Sequence, residues 1–111
     1  MSDSTAESGE GWVRACGLED VAPGSLKSVE TDRERIVVAN VDGDLYALED
    51  QCSHQDFPLS AGVLEGNQVE CVFHGARFEL ASGRPTCLPA VRPVRTFDIR
   101  VEGEDVYVRV G

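Results

Sequence analysis

Two short boxes, Cys52-Ser53-His54 and Cys71-Val72-Phe73-His74, constrain this chain more than anything else in it. They contain its only two histidines and two of its four cysteines. Residues 55 to 70 lie between them, so both boxes serve one site only if the fold returns two separate loops to one point. Thiolates suit zinc, copper(I) and iron–sulfur clusters, while imidazole suits zinc and iron. A structural zinc site accepts two cysteines and two histidines, normally as Cys-x₂₋₄-Cys followed by His-x₃₋₅-His. Here Cys and His alternate within each box instead. A two-iron cluster with cysteines on one iron and histidines on the other needs that mixture from each loop. On the ligands alone, both metal readings stand.

Composition narrows the setting. Four cysteines would suit a disulfide framework in a secreted protein, but pairing with histidine in a cytosolic one points to metal. The chain has 111 residues, 41% of them hydrophobic, which suits one globular domain with a real core. No apolar run approaches the roughly 18 residues a bilayer span requires. The first ten residues lack the basic and apolar regions of a secretory signal, so a cytoplasmic protein with no membrane partner is expected. Twenty acidic against ten basic residues give a net charge of −10, which argues against nucleic acid. The acidity serves solubility or steers the chain toward a basic partner, and the sequence favours neither.

Residues 1–10 read as a disordered acidic tail, and residues 11–111 as one domain. Trp12 to Cys16 reads as a strand closed by Gly17, and Leu18 to Gly24 as a short helical turn. Ile36–Val41 and Asp44–Leu48 flank Asp42-Gly43, a strong hairpin signal. At the carboxyl end Phe97, Ile99 and Val101 alternate with polar residues, as do Val106, Val108 and Val110, with Gly103-Glu104 as the turn. Between these hairpins, Gln51 to Gly62 is loop-like, Gln68–Val72 and Arg77–Leu80 are short strands, and Leu88–Pro93 is a proline loop. The expected fold class is all-β.

In context, the pattern resembles the Rieske ferredoxins that serve aromatic-ring-hydroxylating oxygenases. The first box continues His54-Gln55-Asp56-Phe57-Pro58-Leu59-Ser60-Ala61-Gly62, similar to the family's His-Gly-Asp-x-x-Leu-Ser-x-Gly, with Gln55 in place of the usual Gly. The second continues His74-Gly75-Ala76-Arg77-Phe78, followed by Gly83, and Pro89-Ala90 looks like the loop that covers the cluster. The resemblance runs from about Trp12 to Val110. It implies a Rieske iron–sulfur domain of three small antiparallel sheets, with the two cluster-binding loops at one tip. The cluster-binding subdomain would span about residues 51–90. It further implies one 2Fe-2S cluster per chain, held by Cys52, His54, Cys71 and His74, with the histidine-ligated iron nearest the surface.

High-potential relatives carry an extra cysteine in each box and place a Ser and a Tyr where their hydroxyls donate to sulfur. This chain has no cysteine in residues 55–57, Phe73 before His74, and Ala76 and Phe78 at the Ser and Tyr positions. Fewer donors to sulfur destabilise the reduced cluster, so a low potential is expected. The implied role is a one-electron carrier, a non-enzymatic and monomeric subunit, taking electrons from an NAD(P)H-dependent flavoprotein reductase and giving them to a terminal oxygenase. An oxygenase would need a further iron site of two histidines and a carboxylate, and both histidines here are already used. A ferredoxin for another reductase or monooxygenase, a nitrite-reductase small subunit and a zinc module are the alternatives. Outside the boxes, Cys16 and Cys87 read as small hydrophobes, Trp12 as core and Arg77 as a surface ion-pair partner. Arg84, Arg92, Arg95 and Arg100 read as a solvated basic face.

Overall fold

The strand that organises the molecule is apolar on both sides. In Arg35–Val41 (β3), Ile36 and Val38 point one way, Val37 and Ala39 the other, and all four are fully buried. Such a strand requires a layer on each face rather than the usual one. The structure is a computed structural model that describes residues 11–31, 34–51, 58–71, 76–87 and 92–110. The expected tail, residues 1–10, lies outside the described residues.

The described strands are Trp12–Gly17 (β1), Leu26–Glu30 (β2), β3, Asp44–Glu49 (β4), Val63–Glu65 (β5), Gln68–Glu70 (β6), Arg77–Glu79 (β7), Pro85–Cys87 (β8), Thr96–Phe97 (β9), Ile99–Glu102 (β10) and Asp105–Arg109 (β11). They form three antiparallel sheets, ordered β9-β4-β3-β2, β10-β11-β1 and β5-β6-β7-β8. Short 3-10 turns occupy Leu18–Asp20 and Leu59–Ala61. Among the described residues no helix is long and apolar enough to cross a membrane. The all-β, three-sheet expectation is therefore met.

Two cores flank the central sheet. Ile36 and Val38, with Ala47 of β4, pack against Cys16, Val106 and Val108 of the β10-β11-β1 sheet. Val37, Ala39 and Leu48 pack against Val69, Phe78 and Leu80 of the β5–β8 sheet, together with Leu59, Cys71, Ala76 and Val94. Register explains the division: Val37 pairs with Leu48, and Val38 with Ala47, so each cross-strand pair feeds one core. The Asp42-Gly43 turn has positive φ at both residues, 54° and 99°, as a type I′ hairpin demands. Buried Asn40 accepts from the Gly43 N–H at 2.7 Å and donates to the Val21 carbonyl at 2.8 Å, tying the hairpin to the first crossing loop.

Three sequence expectations need correction. The alternation from Phe97 to Val101 is not one strand. Thr96 and Phe97 pair with Leu48 and Ala47 of β4, and after Asp98 the chain joins β11 instead. Phe97 and Ile99 nevertheless pack on the same core, so the period-two signal survives a change of sheet. Trp12 is half-buried rather than a core residue, and Arg100 lies over its ring at 4.4 Å. Strands β2, β5 and β8 carry no clear sequence signal: β2 is a polar edge strand with Val29 its only buried residue, and the other two are three residues long. Pro85 fits an edge strand, where a missing N–H costs no ladder bond.

Among the described residues Phe78 is the largest fully buried side chain, in the core that joins the β5–β8 sheet to the central one. Phe78→Ala is expected to cost about 3–5 kcal/mol, read by denaturant unfolding. A loss below about 1 kcal/mol would mean that this core does not hold the sheets together.

Candidate metal centre

The second box grows from the end of β6. Glu70 pairs with Arg77 across the hairpin, and the next residue, Cys71, is fully buried. Its N–H donates to the Ala76 carbonyl at 2.7 Å, which pinches the chain together immediately before and after residues 72–75. His74 and the rest of that segment lie outside the described residues. Cys71 and Ala76 share their core with Leu59, Phe78 and Leu80, so the thiol sits in apolar surroundings at the root of a short loop.

The first box leaves β4 through Asp50, whose N–H donates to the Arg35 carbonyl at 2.9 Å. Cys52 and His54 fall within residues 52–57, outside the described residues. The chain re-enters at Pro58, extended at φ −73°, and turns through Leu59–Ala61 with Leu59 buried. The Asp50 carboxylate reaches across to this return. It accepts from the Ser60 N–H at 2.7 Å, the Ser60 hydroxyl at 2.8 Å and the Ser28 hydroxyl of β2 at 3.0 Å. Both ends of the first ligand segment are thereby fastened to one buried carboxylate.

Two glycines allow close approaches of the chain around this site. A Cβ on Gly62 would lie 2.0 Å from the Glu70 carbonyl oxygen, so only glycine lets the end of the first box press against the residue before Cys71. Gly83, at φ +75°, approaches Val94 so closely that a Cβ would meet its carbonyl oxygen at 2.1 Å. The Val94 N–H donates back to the Gly83 carbonyl at 2.9 Å, placing buried Val94 against the same core. Pro89 and Ala90 lie outside the described residues.

Of the four expected ligands the structure thus places Cys71, and it brings the described flanks of both boxes together around Leu59, Gly62 and Glu70. Ala76 and Phe78 are fully buried beside Cys71 and offer no hydroxyl. Asp50 and Ser28 are not singled out by the sequence, and Ser60 only as part of the resembling motif. The available signal was an acid ending a strand two residues before Cys52, with a serine inside the resembling motif. Among the described residues no group of three His, Cys, Asp or Glu side chains is placed to hold a metal elsewhere.

The other candidates take structural roles. Cys16 is buried in the opposite core, and burial pushes its thiol pKa up, as expected for a small hydrophobe. Arg77 pairs with Glu70 at 3.7 Å and Glu65 at 4.0 Å on the surface. Within the basic stretch, Arg95 and Arg100 are shown meeting acids. Arg95 pairs with Glu34 and Glu49, and Arg100 with Glu102 at 3.0 Å.

Comparison with known proteins adds the family. The model of the Rieske [2Fe-2S] domain matches residues 11–98. The ferredoxin component of biphenyl 2,3-dioxygenase from Rhodococcus jostii (strain RHA1) is 44% identical over 96 residues, covering 86% of this chain and 90% of that one. The ferredoxin of carbazole 1,9a-dioxygenase from Nocardioides aromaticivorans IC177 superposes with a TM-score of 0.87 at 32% identity, over 92% of this chain and 100% of that one. A chain from the complex of reduced oxygenase and oxidized ferredoxin in carbazole 1,9a-dioxygenase gives a TM-score of 0.85 at 33% identity, over 91% of this chain and 94% of that one.

Gly62→Ala should force the two boxes apart, lowering iron retained per chain and destabilising the fold by about 1–3 kcal/mol. Gly66→Ala is the control: its φ is +60° but nothing lies within 4 Å of the added Cβ, so the cost should be about 1–2 kcal/mol with iron content unchanged. Equal iron retention in both variants would contradict the role assigned to the Gly62–Glu70 contact.

Proposed function

The chain belongs to the Rieske [2Fe-2S] domain family, and from that premise we propose that it is the ferredoxin component of an aromatic-ring dioxygenase system. The observation that carries this reading is its alignment over 90% of a ferredoxin component, a carrier subunit rather than the catalytic enzyme. The residues fit the cofactor: a buried thiol stands where the chain is pinched around residues 72–75, in apolar surroundings, with the flank of the first Cys/His box against it. Cys52, His54, Cys71 and His74 would hold one 2Fe-2S cluster. When bound, the cluster supplies a centre that takes up and releases one electron.

The chain's own residues set the conditions for that exchange. Cys52 and Cys71 would supply thiolates to the cluster, and His54 and His74 neutral imidazoles whose second ring nitrogen would remain available to a partner. Leu59, Ala76 and Phe78 exclude water from the Cys71 side and give no hydroxyl donor to sulfur. The net charge of −10 further disfavours adding an electron. The reduction potential therefore belongs toward the low end of the roughly −150 to +300 mV Rieske range. Such a potential suits electrons arriving from an NAD(P)H-dependent flavoprotein reductase and leaving to a terminal oxygenase, one at a time. The reading takes residues 11–111 as a monomeric, cytoplasmic domain with its cluster-binding part at about 51–90, and residues 1–10 as a tail outside it.

Protein produced with iron and sulfide should be brown, carry one 2Fe-2S cluster per chain, and bleach partly with dithionite. Its voltammetric midpoint should fall in the lower part of the Rieske range, and a midpoint near the upper end would defeat the low-potential assignment. His74→Cys should alter the visible spectrum and lower the potential, because a thiolate adds negative charge where a neutral imidazole stood. An unchanged spectrum would remove His74 from the ligand set.

A further inference from the structure

Asp50 is a buried charge at the root of the first ligand segment. It is 2% exposed, and its described partners are neutral donors: the Ser28 hydroxyl at 3.0 Å, the Ser60 hydroxyl at 2.8 Å and the Ser60 N–H at 2.7 Å. An ionised carboxylate is acceptor-only, and donors are what meet it here. Among the described residues no ion pair reaches it, whereas the more exposed carboxylates Glu34, Glu49, Glu70, Glu102 and Asp105 each face an arginine. Burial also withholds the solvent screening that weakens an exposed charge. Two peptide units separate Asp50 from Cys52 in the chain, a span of at most about 7 Å.

We infer that Asp50 is a positioning residue for the ligand segment, and that its buried negative charge depresses the reduction potential of the adjacent centre. This rests on the Rieske electron-carrier reading. Reduction adds one electron, hence one negative charge, beside a fixed negative charge that water does not screen. The reduced form is raised in free energy more than the oxidised form, and the potential falls. The serine donors work the other way, drawing charge from the carboxylate and moderating its effect.

The sign of each effect separates this role from simple loop support. Wild-type holoprotein is first confirmed by iron content and visible spectrum, and midpoints are then measured spectroelectrochemically. Asp50→Asn keeps the shape, and the serine hydroxyls can turn to accept from the carboxamide, so its midpoint should be more positive than wild type. Ser28→Ala/Ser60→Ala keeps the charge but strips both hydroxyl donors, so its midpoint should be more negative. Asp44→Asn makes the same formal charge change on the exposed hairpin and should leave the midpoint in place. An Asp50→Asn holoprotein with an unmoved or more negative midpoint overturns the inference, as does an equal shift from Asp44→Asn. If Asp50→Asn retains no iron, the positioning role is upheld and the serine variant decides the charge: a midpoint that fails to fall overturns it. Wild-type protein without iron would instead sink the electron-carrier reading itself.

Discussion

The two proposed ligand boxes, separated by residues 55–70, must be held at a fixed spacing, and neither contains a second cysteine to clamp them covalently. That task falls to backbone contacts and packing. The Cys71–Ala76 hydrogen bond pinches one loop, the Asp50–Ser60 bonds fasten the other, and Gly62 lets the two meet at Glu70. Each of these would be floppy alone. They are made rigid because Leu59, Cys71, Ala76 and Phe78 are all built into one core with Val37 and Leu48 of the central sheet. The β3 strand, buried on both faces, carries this load by anchoring the ligand-bearing sheet on one side and the carboxyl-terminal hairpin on the other.

Much of this was legible in the chain because the signals are local. Asp42-Gly43 requires positive φ, which few residue pairs tolerate, and the structure shows a tight hairpin there. The unbroken apolar run Ile36-Val37-Val38-Ala39 becomes the two-faced strand. Other features are decided by partners far away in sequence and leave little local trace. Phe97 and Ile99 alternate as if in one strand because both face one core, although their backbones bond to different sheets. Trp12 looks like core from its size, but Arg100 covers its ring at the edge of the β10-β11-β1 sheet.

The site shows the same division. Cys and His at the observed spacings announce a metal, whereas the roles of Gly62 and Gly83 show only in the fold, where an added Cβ would lie 2.0 Å and 2.1 Å from a carbonyl oxygen. Asp50 announces little beyond its place two residues before Cys52, since one more acid in a chain with twenty acidic residues reads as solubility. Its burial depends on Ser28, twenty-two residues earlier, and on Ser60, ten residues later. A long-range polar contact of this kind has no periodicity to betray it.

The central claim is that one sulfur and one imidazole from each loop bind a pair of unlike irons. An iron Mössbauer spectrum of the oxidised protein tests it most directly, because it resolves irons by their ligands. The account predicts two populations in equal amounts, one in an all-sulfur environment and one also bound by nitrogen. A single all-sulfur population, or a protein holding zinc and no iron, would contradict it.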